Sequence, residues 1–206
     1  MLATTPSIYV WRNFAAASML GALCFLPVSA HAALISEFEQ IVPTPTVYTF
    51  DLHHNAFADN GNAVTGDVTA LLEAVDIVLG DPFGSRSGCE LTDFAGFTNG
   101  SIALLQRGYC LFSDKVINAA LAGAVGVVIF DSDFQLEAFT GALVDPTTIP
   151  VISLRRDIGI DLLNLLAEGD VTVRVAVQQQ VPEPAMLVLM GGGLLGAALR
   201  RRRRLP

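Results

Sequence analysis

The chain has 206 residues, 52% of them hydrophobic, and a formal net charge of −8. That length supports one domain with a real core, and the acidity excludes nucleic acid as a partner class, since phosphate binding needs a basic stripe. All 20 acidic residues lie between Ala33 and Pro184, where the cations are Arg86, Arg107, Lys115, Arg155, Arg156 and Arg174.

At the N-terminus, Arg12 precedes an apolar stretch from Phe14 to Val28 that ends in Ala30-His31-Ala32. A basic start, an apolar run and an A-x-A site predict a signal peptide over residues 1–32, cleaved after Ala32 by signal peptidase, with Ala30 as the alternative. Cys24 follows Leu23, where a lipoprotein cleavage site needs a small residue, so lipidation is not the expectation. With Cys24 inside the leader, Cys89 and Cys110 remain. An even pair in an exported chain predicts a disulfide, worth about 3 kcal/mol for a loop of this length. The competing reading as metal ligands lacks C-x-x-C spacing and a nearby histidine.

Residues 33–66 read as a lead-in containing a strand from Thr44 to His53. Asp76 to Leu79 is a short strand candidate, Ser101 to Gln106 a further one, and Val125 to Phe130 is apolar enough for a strand buried on both faces. Ser113 is the expected N-cap of a helix from Asp114 to Ala122 that stops at Gly123, with Val116, Ala120, Gly123 and Ala124 forming a small-residue face. Ile149 to Leu154 is a strand. A second helix runs from about Arg156 to Glu168, with Ile160, Leu163, Leu166 and Ala167 on one side and Gly169 as its stop. The alternation in Val171 to Val177 gives the last strand. The succession predicts an α/β domain around one sheet system.

The chemistry-bearing groups are sparse. Gly84 to Gly88 has arginine where a nucleophile elbow has serine. His53 and His54 are adjacent, and strand neighbours point to opposite faces. A metal site from Asp51, His53 and Asp59, and a calcium site from Asp131, Asp133 and Glu137, are weaker than readings as turn and strand-end residues. No catalytic set, metal site or cofactor is therefore expected. Arg107 and Lys115 stand out in an acidic body, either paired locally with Asp114 or Asp93 or available to a partner's carboxylate.

The tail has three parts: Val181-Pro182-Glu183-Pro184, the apolar run Ala185 to Leu199, and Arg200, Arg201, Arg202, Arg203 and Arg204. Fifteen helical residues span about 22 Å, short of the ~30 Å hydrocarbon core. Snorkelling arginines extend the reach, so residues 185–199 are expected to form a short transmembrane helix with 200–204 as a cytoplasmic basic cluster. Residues 191–196 also fit G-x-G-x-x-G, but the context is not that of a nucleotide fold.

This tripartite tail resembles the PEP-CTERM sorting signal over residues 181–206. The resemblance implies recognition by an exosortase-type membrane transpeptidase and contact, transient or persistent, with the bacterial inner membrane. Gly88-Cys89-Glu90, the block Gly100 to Phe112 containing Arg107-Gly108-Tyr109-Cys110-Leu111-Phe112, Lys115-Val116, Ala122-Gly123-Ala124, Ile129-Phe130-Asp131 and Ile149-Pro150-Val151 resemble a protease-associated (PA) domain, expected over residues 67–178. That family implies a swivelling β/β/α fold with mixed sheets or an open barrel and two flanking helices. It also implies a non-catalytic module that binds protein or peptide segments, or that modulates substrate access to a secreted protease. A small hydrolase is the weaker alternative. The expected destination is the cell envelope or the extracellular matrix.

Overall fold

A computed structural model describes residues 33–58, 60–80, 85–132 and 138–180; the expected signal peptide and the whole sorting tail lie outside the described residues. Among the described residues, eight strands form a mixed sheet in the order β2-β1-β8-β4-β5-β6-β7-β3. One half is antiparallel: β1 (Leu34–Val42) lies between β2 (Thr46–Tyr48) and β8 (Thr172–Gln179), and β8 pairs onward with β4 (Gly66–Ala74). The other half is parallel, through β5 (Ile102–Gln106), β6 (Gly126–Phe130) and β7 (Val151–Leu154), and ends on the antiparallel strand β3 (His54–Ala56).

The two halves are joined by β4. Its residues Gly66 to Leu71 pair with β8, and Leu72 to Ala74 pair with β5. The strand alternates as expected where one face is wet, exposing Asp67, Thr69 and Leu71. Curling then brings the terminal strands together at His54. The Ser36 hydroxyl lies 2.9 Å from His54 Nδ1, and Nε2 lies 3.1 Å from the Tyr48 carbonyl oxygen.

Every residue of β5, β6 and β7 is buried, and alternation sends them to two cores. Ile102, Leu104, Val128, Phe130, Ile152 and Leu154 meet Phe38 and the valines of β8 on one side. Ala103, Leu105, Val127, Ile129 and Val151 meet Phe57, Phe94 and Leu143 on the other. Helix α1 (Phe112–Leu121) covers the second core through Val116 and Ala119. Helix α2 (Arg156–Glu168) covers the first through Ile158 and Leu162, and Gly159 lets it lie directly on the Phe130 ring.

Several expectations are corrected. Thr44 to His53 is not one strand: β2 ends at Tyr48, and Asp51 to His53 form a turn before β3. Asp76 to Leu79 is irregular, whereas the alternating Gly66 to Ala74 is the long strand. The first strand begins within the supposed lead-in, at Leu34. Ser113 sits inside α1, which starts at Phe112 with Leu111 at its N-cap. The Ser113 hydroxyl instead accepts from the backbone N–H groups of Val144 (2.7 Å) and Asp145 (3.0 Å), so it fixes a distant loop. The buried residues of α2 are Ile158, Gly159 and Leu162; of the expected face, Ile160, Leu163 and Leu166 are partly buried and pack against the same core, while Ala167 is exposed.

Candidate functional site

The chemistry gathers where the parallel strands end. Gln106, Phe130 and Leu154 are in register at their C-termini, so the next residues, Arg107, Asp131 and Arg155, form a row across the sheet edge. Backbone bonds continue the ladder: Arg107 N–H donates to the Phe130 carbonyl, Asp131 N–H to Leu154, and Arg155 N–H to His53, each at 2.9 Å. The row carries cation, anion, cation. In open α/β sheets this carboxyl edge is where ligands bind.

Arg107 is corrected from its expected pairing with Asp114 or Asp93. Its guanidinium donates to Asp131, at 3.2 Å to Oδ1 and 3.4 Å to Oδ2, and lies 4.8 Å from the centre of the Phe139 ring. Asp131 is 1% exposed, while the Arg107 side chain remains 42% exposed and keeps a face toward solvent. Arg155 grips Asp157, and Arg156 donates to the Ser132 carbonyl at 3.2 Å. Below Arg107, the fully buried Gln106 amide leaves both Nε2 and Oε1 without a protein hydrogen bond.

Lys115 proves to be an interior residue. Its side chain is 0% exposed, and its ammonium donates to the Ser87 carbonyl and lies 3.7 Å from Cys89 Sγ. Burial pulls its pKa down to about 8, with Asp93 opposing the shift. A partner-contacting role, expected for Lys115 alongside Arg107, is therefore removed by geometry. Its place follows from spacing. Lys115 and Asn118 are one helical turn apart on α1, and Asn118 Nδ2 donates to the carbonyls of Gly88 (3.2 Å) and Cys89 (2.9 Å). Together they hold the loop that carries Cys89.

That loop is tied to the turn after β5 by the Cys89–Cys110 disulfide, with Cα atoms 5.8 Å apart. Tyr109 occupies the left-handed region (φ 57°) and turns its ring outward, where the Arg86 guanidinium lies 4.0 Å from the ring centre. The remaining candidates do not converge. His53 Nδ1 accepts from Thr49 N–H, and His54 is buried in the seam. Asp59, Asp133 and Glu137 lie outside the described residues, among which no group of three His, Cys, Asp or Glu side chains is placed to hold a metal. Among the described residues no helix is long and apolar enough to cross a membrane; 185–199 lies beyond them.

Residues 64–162 match the family model of the PA domain, and residues 180–204 match the PEP-CTERM protein-sorting motif. An aminopeptidase of Pseudomonas aeruginosa is 44% identical over 124 residues, covering 58% of this chain and 23% of the relative. Leucine aminopeptidase 2 of Trichophyton equinum is 35% identical over 92 residues, covering 45% of this chain and 19% of the relative. The chain thus spans about a quarter or less of these curated relatives. Among solved structures, BSAP, a zinc aminopeptidase from Bacillus subtilis, superposes with a TM-score of 0.55 at 19% identity, over 73% of this chain and 31% of that one. An aminopeptidase from Aneurinibacillus sp. strain AM-1 gives 0.53 at 24% identity, over 73% and 35%. These two likenesses concern the fold.

Proposed function

We propose that this chain, a PA-domain protein carrying a PEP-CTERM sorting motif, is an exported, non-catalytic module that binds a protein or peptide segment at the cell envelope or in the extracellular matrix. The sorting motif marks it for export and for handling by an exosortase-type transpeptidase at the inner membrane, after a signal peptidase has removed the leader. The carboxyl edge of β5, β6 and β7 is the binding face in this reading, and Arg107 is its contact residue. The observation that carries the reading is the half-exposed Arg107 guanidinium, held in place by the buried Asp131 and lying over the Phe139 ring. A guanidinium so oriented suits a bidentate carboxylate, from a side chain or a peptide C-terminus.

Selection from a random peptide library tests this. Enrichment of acidic or free-C-terminal sequences on the wild type, lost on Arg107→Glu, is the expected result. Equal enrichment on both proteins would overturn it. A second reading is favoured by the names of the relatives: the module adjusts substrate access of a secreted aminopeptidase in trans. Adding the purified protein to such an enzyme should then change its preference among peptide substrates. Unchanged rates over a panel of lengths would remove that reading.

A further inference from the structure

The two sulfurs of the disulfide sit in unlike surroundings. Cys89 faces inward, with the Lys115 ammonium 3.7 Å from its Sγ and Asn118 clamping its carbonyl. Cys110 lies in the turn between the exposed side chains of Tyr109 and Leu111, beside the exposed Arg86, whose carbonyl accepts from Cys89 N–H at 2.8 Å. Both cysteines are partly exposed, so a small thiol has access.

We propose that Lys115 polarises this disulfide into a directed thiol-exchange site, in which a small anionic thiol attacks Cys110 and Cys89 leaves. In the step, the incoming thiolate forms a bond to Cys110 Sγ as the Cys110–Cys89 bond breaks. The electron pair departs on Cys89 Sγ, where the Lys115 ammonium holds it as a thiolate. The thiol is the reductant, and the product is a mixed disulfide on the surface turn. Two observations fix the direction. Thiol exchange runs faster through the sulfur that departs as the more stable thiolate, and a lysine ammonium beside a cysteine lowers that thiol's pKa. Arg86, spread over the Tyr109 ring, adds a cation on the approach side, which favours an anionic thiol over a neutral one. Lys115 is buried and already bonded to the Ser87 carbonyl, so no rearrangement is needed to meet the leaving sulfur.

The test treats the purified, oxidised protein with glutathione at neutral pH, traps the freed thiol with maleimide in acid, and maps both modifications by mass. Glutathione on Cys110 and maleimide on Cys89, in excess over the reverse pattern by about fivefold, is expected. Equal amounts, glutathione mainly on Cys89, or no exchange would each overturn the proposal. Lys115→Met should abolish the bias and slow exchange by about fivefold; an unchanged bias would also overturn it. Should that variant fail to fold, the wild-type map decides by itself. Arg86→Ala, on an exposed side chain, should slow glutathione, which carries extra negative charge, more than mercaptoethanol, which attacks as a singly charged thiolate. Equal slowing of both would refute the steering role.

Discussion

Gly159 is the position where local preference and tertiary packing oppose each other most sharply. It lies near the start of α2, where alanine would ordinarily stabilise the helix by about 1 kcal/mol. A Cβ built there falls 2.5 Å from Cβ and 2.7 Å from Cδ2 of Phe130, and closer still to Cγ. Phe130 is fully buried in β6, so its ring has no free volume to enter. Gly159→Ala must then push α2 off the sheet, at the cost of Ile158 and Leu162 contacts. Overpacking of this kind costs about 1–3 kcal/mol, and lifting two buried side chains adds to it. After the helix gain is subtracted, a net loss of about 2–3 kcal/mol is expected. Urea unfolding with the disulfide intact would read this as a midpoint lowered by about 1 M, at unchanged slope. A midpoint equal to or above that of the wild type would refute the argument, because the sign itself is at stake.

The other expectations concern titration and cross-linking. Lys115 binds its proton more weakly when folded, at about 8 against the ordinary 10.5 of a lysine. The unfolded chain therefore holds more protons between those values, and stability contributed by this group rises with pH across that window, by at most about 1.4 kcal/mol per pH unit. Melting curves at pH 7.5 to 9.5 should therefore show the wild type gaining stability relative to Lys115→Met as pH rises; parallel curves would contradict the burial of Lys115. His54 is shifted down from 6.5, first by burial, so the same linkage makes stability fall as pH drops below that value. His54→Gln should flatten the wild-type acid slope between pH 6.5 and 5, and an identical slope would mean the seam does not sense the proton. The paired Cys89→Ser, Cys110→Ser variant should lose about 3 kcal/mol in denaturant titration, and a loss below 1 kcal/mol would argue that the loop is held by Asn118 and Lys115 instead.

The parallel core was legible because its residues speak through burial alone. Val125 to Phe130 is so apolar that only a doubly covered strand fits it, and Gly126–Phe130 is the strand found. The second helix was readable to the residue, since Gly169 ends it. The strand Gly66–Ala74 was missed because its exposed face carries Asp67 and Thr69, and because it serves two sheet halves with different neighbours. No local pattern reports that. Ser113 misled for a related reason: its helix-start chemistry was real, but a loop thirty residues away claims the hydroxyl. Arg107 and Lys115 were singled out by scarcity of charge, and that signal cannot distinguish a cation at the surface from one in the interior.

Charge placement gives the candidate face a physical rationale beyond Arg107. Of the six cations between Ala33 and Pro184, Lys115 is buried, and Arg174 is gripped on the antiparallel half by Asp67 (2.7 Å) and Glu37 (2.9 Å). Arg107 follows the end of β5, Arg155 and Arg156 follow the end of β7 on the far side of β6, and Ser85 N–H donates to the Arg107 carbonyl at 3.3 Å, which brings Arg86 to the same end. An otherwise acidic body thus gathers four of its six cations at one end of the sheet, where Asp131 and Asp157 offset part of their charge. A uniformly negative surface would repel acidic peptides at the ~8 Å screening length of physiological salt, so this edge is where such a ligand meets the lowest barrier. Raising the ionic strength should therefore weaken capture of an acidic peptide on the wild type more than on Arg155→Ala/Arg156→Ala. Binding with no salt dependence in either protein would place the contact elsewhere on the fold.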